Sequence, residues 1–142
     1  MSREVIERNT KVAIAITEKM KKGRNDLKKA KEKIIQLDKQ GELTIPFLKT
    51  TFEKLSESNE ELLKEISRYD YTYVVHEAEM TVKEKAIWEE FFNIKKFYDK
   101  ELSEFASFKE KYKYFEPKNS EELKKQARLL LEKKGYIVDS PF

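Results

Sequence analysis

Between Val5 and Leu37 the apolar side chains return every three or four residues, and no proline interrupts them. The run is Val5, Val12, Ile16, Met20, Leu27, Ala30, Ile34 and Leu37, with Asn9 and Gly23 at the two places where the stripe skips. A stripe sustained for this long lies on one side of an α-helix at a coiled-coil-like period. The two successive steps of four from Val12 through Ile16 to Met20 form a local stutter. The spacing therefore predicts a first helix over about 2–40. At 1.5 Å per residue it would be about 57 Å long. Gly23 costs such a helix roughly 1 kcal/mol relative to alanine. Its place on the stripe implies either close approach of a neighbour or a kink. Gly41 supplies a stop, because glycine accepts the left-handed conformation that ends helices.

The same rhythm returns twice. Thr44 is placed to cap a second helix, with Pro46 in its first turn, where a missing N–H costs nothing. Its stripe is Leu48, Phe52, Leu55, Leu62, Ile66, Tyr69 and Tyr73, with Asn59 as the one polar member, which predicts a helix over about 45–78. The stretch Tyr69–Glu79 is ambiguous. Tyr69, Tyr71, Tyr73 and Val75 alternate with other residues at a strand-like period of two, while Tyr69, Tyr73, His76 and Met80 continue the helical one. Helix is the preferred reading, because Tyr136–Val138 is the only partner for a strand and a lone pair of strands is marginal. Thr81-Val-Lys-Glu84 fits a capping box and opens a third helix, expected over about 82–115 and ended by Pro117. Ser120 would cap a short C-terminal helix over 121–134, with Gly135 as its stop.

Composition agrees with this reading. Glycine and proline number three each in 142 residues, too few for the turns of a β-protein. Charged residues make up 40%, well above the ~25% of ordinary domains. Seventeen aromatic residues and the regular apolar spacing argue against disorder. The expectation is all-α: one domain over 1–142, an elongated antiparallel bundle of three long helices and one short one. Residues 1–40 carry 12 basic and 6 acidic side chains, and residues 41–78 carry 4 and 8, so the first two helices are electrostatically complementary. Cysteine is absent, which rules out disulfides and thiolate chemistry. The N-terminus shows no secretory pattern and no stretch reaches the ~18 apolar residues of a membrane span, so a cytoplasmic protein is expected.

Two features stand out as binding candidates. Lys21, Arg24, Lys28 and Lys31 share one stripe of the first helix, and Lys22, Lys29 and Lys33 share another. Cations at this spacing suit phosphates on nucleic acid or an anionic surface, or they form a solvated face that pairs with the acidic second helix. The third helix holds ten aromatics between Trp88 and Phe115. Trp88, Phe92, Phe97 and Tyr114 fall beside or off its stripe, which makes the apolar arc wider than one neighbour covers and points to a protein partner or a second copy.

No catalytic pattern rises above these. His76 is the only histidine, and no Glu-x-x-His pair accompanies it, so neither a metal nor another cofactor is expected. The glutamate pairs are those a Glu-rich helix produces by chance. The isolated glycines make no phosphate loop. Ser103 and Ser107 have no histidine close in sequence to activate them. The sequence thus reads as a non-enzymatic interaction module that binds a protein or itself through an aromatic face. The alternative is a binder of nucleic acid or anionic surfaces through residues 19–33.

Overall fold

The computed structural model describes residues 2–117 and is helical throughout, with no strand among them. Helix α1 runs Ser2–Gln40, α2 Ile45–Tyr69, α3 Tyr71–His76 and α4 Val82–Lys111, and a single 3₁₀ turn, Glu77–Glu79, joins α3 to α4. None of these helices is long and apolar enough to cross a membrane. The predicted helix over 121–134 lies outside the described residues.

The chain turns where its capping residues say it should. Gly41 takes φ 71° after α1. Its N–H donates to Asp38 O at 3.1 Å while Glu42 N–H reaches Leu37 O at 2.9 Å, which satisfies two orphan carbonyls as a Schellman motif does. The Thr44 hydroxyl accepts from Phe47 N–H at 3.3 Å and opens α2. At Thr81 both halves of the capping box form. Glu84 N–H donates to the Thr81 hydroxyl at 3.1 Å, and Thr81 N–H donates to the Glu84 carboxylate at 2.9 Å.

Two boundaries differ from the sequence reading. The second helix stops at Tyr69 rather than 78, and after Asp70 the chain continues as the separate α3. The new element turns Thr72 fully inward, where Asn9 of α1 donates to its hydroxyl at 2.9 Å. Thr72, Val74 and Val75 are β-branched and weak helix formers, so a tertiary hydrogen bond sets the local path. The last long helix ends at Lys111 rather than 115, and Tyr112–Tyr114 form turns. There the Tyr112 hydroxyl reaches Asp38 at 3.3 Å, and its ring packs between Phe108 and Phe115.

Helix α1 is the centre of the bundle. It runs antiparallel to α2, as Lys19 beside Glu65 and Gly23 beside Asn59 show, and parallel to α4, as Arg3–Glu84 and Asp38–Tyr112 show. A helix with two neighbours needs a wider buried arc than a single seam. Beside the predicted stripe, α1 therefore buries a second row, Ile6, Thr10, Ala13 and Thr17. The small members of that row bring α4 close. Gly23 does similar work: α1 passes through it unbroken, and a Cβ there would lie 3.1 Å from the Tyr98 ring and 3.5 Å from Asn59 Oδ1. The glycine is a seat for an aromatic ring, not a kink.

Candidate interaction surfaces

The second row of α1 extends beyond Thr17. Continuing at steps of three and four it passes Lys21, Arg24, Lys28 and Lys31. The predicted basic stripe is therefore the upper half of the row that faces α4, and most of it is engaged there. Lys21 bridges Glu18 and Glu90, each at 3.2 Å, and its hydrogen bond to Glu90 is the main cause of an ammonium pKa above the usual lysine value. Arg24 stacks over the Phe97 ring at 5.1 Å, with its Nε buried and without a hydrogen-bond partner among the described residues. Lys31 lies 2.7 Å from the buried carboxylate of Glu101 and 3.8 Å from Glu104. The Glu101 oxygen nearest the ammonium makes no well-aligned hydrogen bond, so the contact is chiefly coulombic. Lys28 alone in this row is exposed, at the edge of a hollow shared with Ser103, Ser107 and Lys111.

The sequence reading paired the basic helix with acidic α2. That holds for Lys19, whose ammonium meets Glu65 at 3.0 Å, but the stripe itself pairs with α4. Lys22, Lys29 and Lys33 are exposed, and Lys22 edges a hollow shared with Asn59 and Glu61 of α2.

The aromatic flank is also redistributed. Trp88, expected off the stripe and open to a partner, is completely buried within its own chain, and its indole N–H donates to the Thr10 hydroxyl at 2.9 Å. Phe92 is half-buried, its ring edge-on to Tyr73 at 5.6 Å and to Phe91 at 5.1 Å. Phe97 is 42% exposed beneath Arg24, and Tyr114 is 85% exposed beside Lys113. These four side chains do not form one face.

A different apolar surface emerges at the lower end, where the N-termini of α1 and α4 meet. On α3, Tyr71, Val74 and Val75 share one face at steps of three and four, and Val74 and Val75 are 79% and 64% exposed. Val82, in the first turn of α4, is 86% exposed. The base beneath them is firm. Arg3 clamps α1 to α4 with two 2.9 Å hydrogen bonds to Glu84 and one of 3.1 Å to Glu79 O. The bond from Arg3 is the chief reason the Glu84 carboxyl titrates below its ordinary range. This surface is not legible in the sequence, because the stretch fits both a strand-like and a helical period and neither period says which side lacks a neighbour.

Polar side chains inside the bundle mark fixed levels along it. Tyr98 donates to Asn59 Oδ1 across the top of Gly23, and Asn59 in turn donates to Leu55 O at 2.6 Å. Burial, with Asp99 adding to it, pushes the Tyr98 hydroxyl up to about 12. His76 sits 3.5 Å from Glu79, and among the described residues no three His, Cys, Asp or Glu side chains gather to hold a metal ion.

No protein-family model, curated protein or solved structure matches this chain.

Proposed function

We propose that this chain is a non-enzymatic interaction module that binds another polypeptide, or a second copy of itself, through the apolar face of α3. The observation that carries this reading is the exposure of Tyr71, Val74 and Val75 together on a short helix that Asn9–Thr72 holds in place. Large apolar side chains kept in water on a pinned element gain from being covered, at about 25 cal/mol per Å² before the costs of association. Binding requires little ordering, since the element is already fixed in the free chain. The partner that suits it presents an apolar helix or ridge of its own.

The test is a paired comparison of the full chain with V74E/V75E. Light scattering during size exclusion detects self-association as a mass above 17.0 kDa. Capture from host extract detects a foreign polypeptide. A species bound by the parent and lost by V74E/V75E supports the reading, and equal behaviour of the two proteins sinks it. Retention on heparin or DNA that falls steeply with salt would favour the nucleic-acid alternative instead, with Lys22, Lys29 and Lys33 as the exposed cations to change.

A further inference from the structure

Helices α2 and α4 lean on α1 from two sides and reach each other through long side chains. The Phe52 and Phe105 rings meet edge to face at 5.8 Å, and Tyr98 donates to Asn59. Toward the upper end of the bundle the two helices leave a groove of two hollows, about 450 and 210 Å³, which adjoin at Phe52 and Lys109. Ile45 and Leu48 line the upper hollow, and Leu55, Leu63, Leu102 and Phe105 the lower one. Ile45 and Leu63, at the two ends, are exposed, so the apolar lining is open to water along its length.

Charge is spread unevenly along this groove. Lys49, Lys109 and Lys113 line the upper hollow, with Glu110 as its one carboxylate, whereas Glu60 lines the lower hollow. None of the three lysines forms an ion pair among the described residues, unlike Lys19, Lys21, Lys31 and Lys95. The Lys109 ammonium lies instead 5.8 Å from the centre of the Phe52 ring, and that of Lys113 5.7 Å from the Tyr114 ring. An apolar slot with unneutralised cations at one end is complementary to a molecule that is anionic at one end and apolar for the rest of its length.

We propose that the α2/α4 groove binds a free long-chain carboxylate, a fatty acid, with its head group at Lys49, Lys109 and Lys113 and its alkyl chain running down past Phe52 toward Leu55 and Leu102. Lys49 to Leu63 spans about 21 Å along α2, which gives an extended alkyl chain room to lie. The larger hollow is of the size that takes small molecules. An α-helix, about 10–12 Å across with its side chains, would rest over the touching Phe52 and Phe105 rings rather than between them. Charge fixes the direction of the ligand. Turned the other way, its carboxylate would face Glu60 and leave the lysines against methylenes. Each methylene covered by the lining tightens binding by up to about fourfold.

Calorimetric titration of the full chain with dodecanoate, kept below its micelle-forming concentration, tests this. Saturable binding of one ligand per chain is expected. Decanoate should bind about tenfold more weakly, and so should dodecyltrimethylammonium, which has the same alkyl chain and the opposite charge. Lys109, Lys113 and Ala106 are exposed, so their replacement leaves the helices intact by circular dichroism. K109E/K113E should weaken dodecanoate by about tenfold and reverse the preference between the two head groups. Ala106→Trp, in the lower hollow, should weaken both ligands by occupying the slot. Absence of saturable binding to the parent overturns the proposal and leaves the groove to a polypeptide. Equal affinity for the two head groups also overturns it, since that marks a surfactant adhering to any apolar surface. So does dodecanoate binding that either variant leaves unchanged.

Discussion

The contact between α1 and α4 has two halves, built on one row of α1 in two kinds of chemistry. In the lower half, Ile6, Thr10, Ala13 and Thr17 are buried, and the buried Trp88 indole of α4 donates to Thr10. In the upper half the same row is Lys21, Arg24, Lys28 and Lys31, and α4 answers with Glu90, Phe97, Glu101 and Glu104. The change falls between Thr17 and Lys21, and Gly23 and Tyr98 meet just above it. The lower half draws its energy from removing apolar surface from water, and its hydrogen bonds mainly satisfy groups that burial would otherwise orphan. The upper half draws little energy from its exposed pairs but fixes which residue lies opposite which. A helix pair with an apolar seam alone would tolerate a slip of one turn, whereas Lys31 opposite Glu101 would not, because a slip strands a buried carboxylate.

Substitutions along that row can break the comparison, and the largest effect belongs to the lower half. Trp88→Ala should destabilise the fold by about 3–5 kcal/mol in urea unfolding, since it opens a cavity and removes the donor that Thr10 accepts from. A loss under about 1 kcal/mol would mean that the indole is not the core of this contact. Next is Lys31→Met, which leaves Glu101 buried and unpaired at a cost of about 3 kcal/mol, the low end of the range because Lys31 keeps some solvent. Combining it with Glu101→Met should bring stability back to within about 1 kcal/mol of the parent. If the double variant is as unstable as the single one, the pair contributes more than register, and the division between halves fails.

Just above the boundary, Tyr98→Phe should cost about 1–2 kcal/mol by leaving Asn59 Oδ1 without its donor. The same residue gives the bundle an alkaline limit. Its hydroxyl titrates near 10 when unfolded and at about 12 when folded, so the stability it confers is whole below pH 10 and declines from there through pH 12. Urea midpoints measured at pH 9 and pH 11 should converge between parent and Tyr98→Phe as the pH rises. The smallest shift in the series belongs to Lys21→Met, because a half-exposed ammonium between two exposed carboxylates exchanges one set of solvated contacts for another. Raising the salt concentration should shrink even that difference.

Much of this architecture was legible in the sequence. The helix ends at Gly41, Thr44 and Thr81 were readable because caps act within a few residues, as were most stripe residues that proved buried, Ile16, Leu27 and Phe105 among them. The break at Asp70 was not readable, because it answers to Asn9, which is remote in sequence. Trp88 was misplaced for a related reason. Counting along one helix gives its direction about that axis, but only the packing of three axes decides whether that direction meets water or Thr10. The α3 surface was hidden by a related ambiguity, since the two competing periods of Tyr69–Glu79 do not say that Thr72 takes the inward place and leaves Val74 and Val75 in water.

The amino-acid order by itself determined that the chain is helical, where its long helices begin, and which sides of them are greasy, since hydrogen bonds and periodicity within a helix depend only on near neighbours. The assignment of partners belonged to the tertiary structure: that the lysine row meets α4 rather than α2, that Gly23 holds a tyrosine ring, and that α2 and α4 leave a groove between them. Those outcomes depend on the volumes and charges of residues far apart in the chain, which have no common neighbourhood until the helices are side by side.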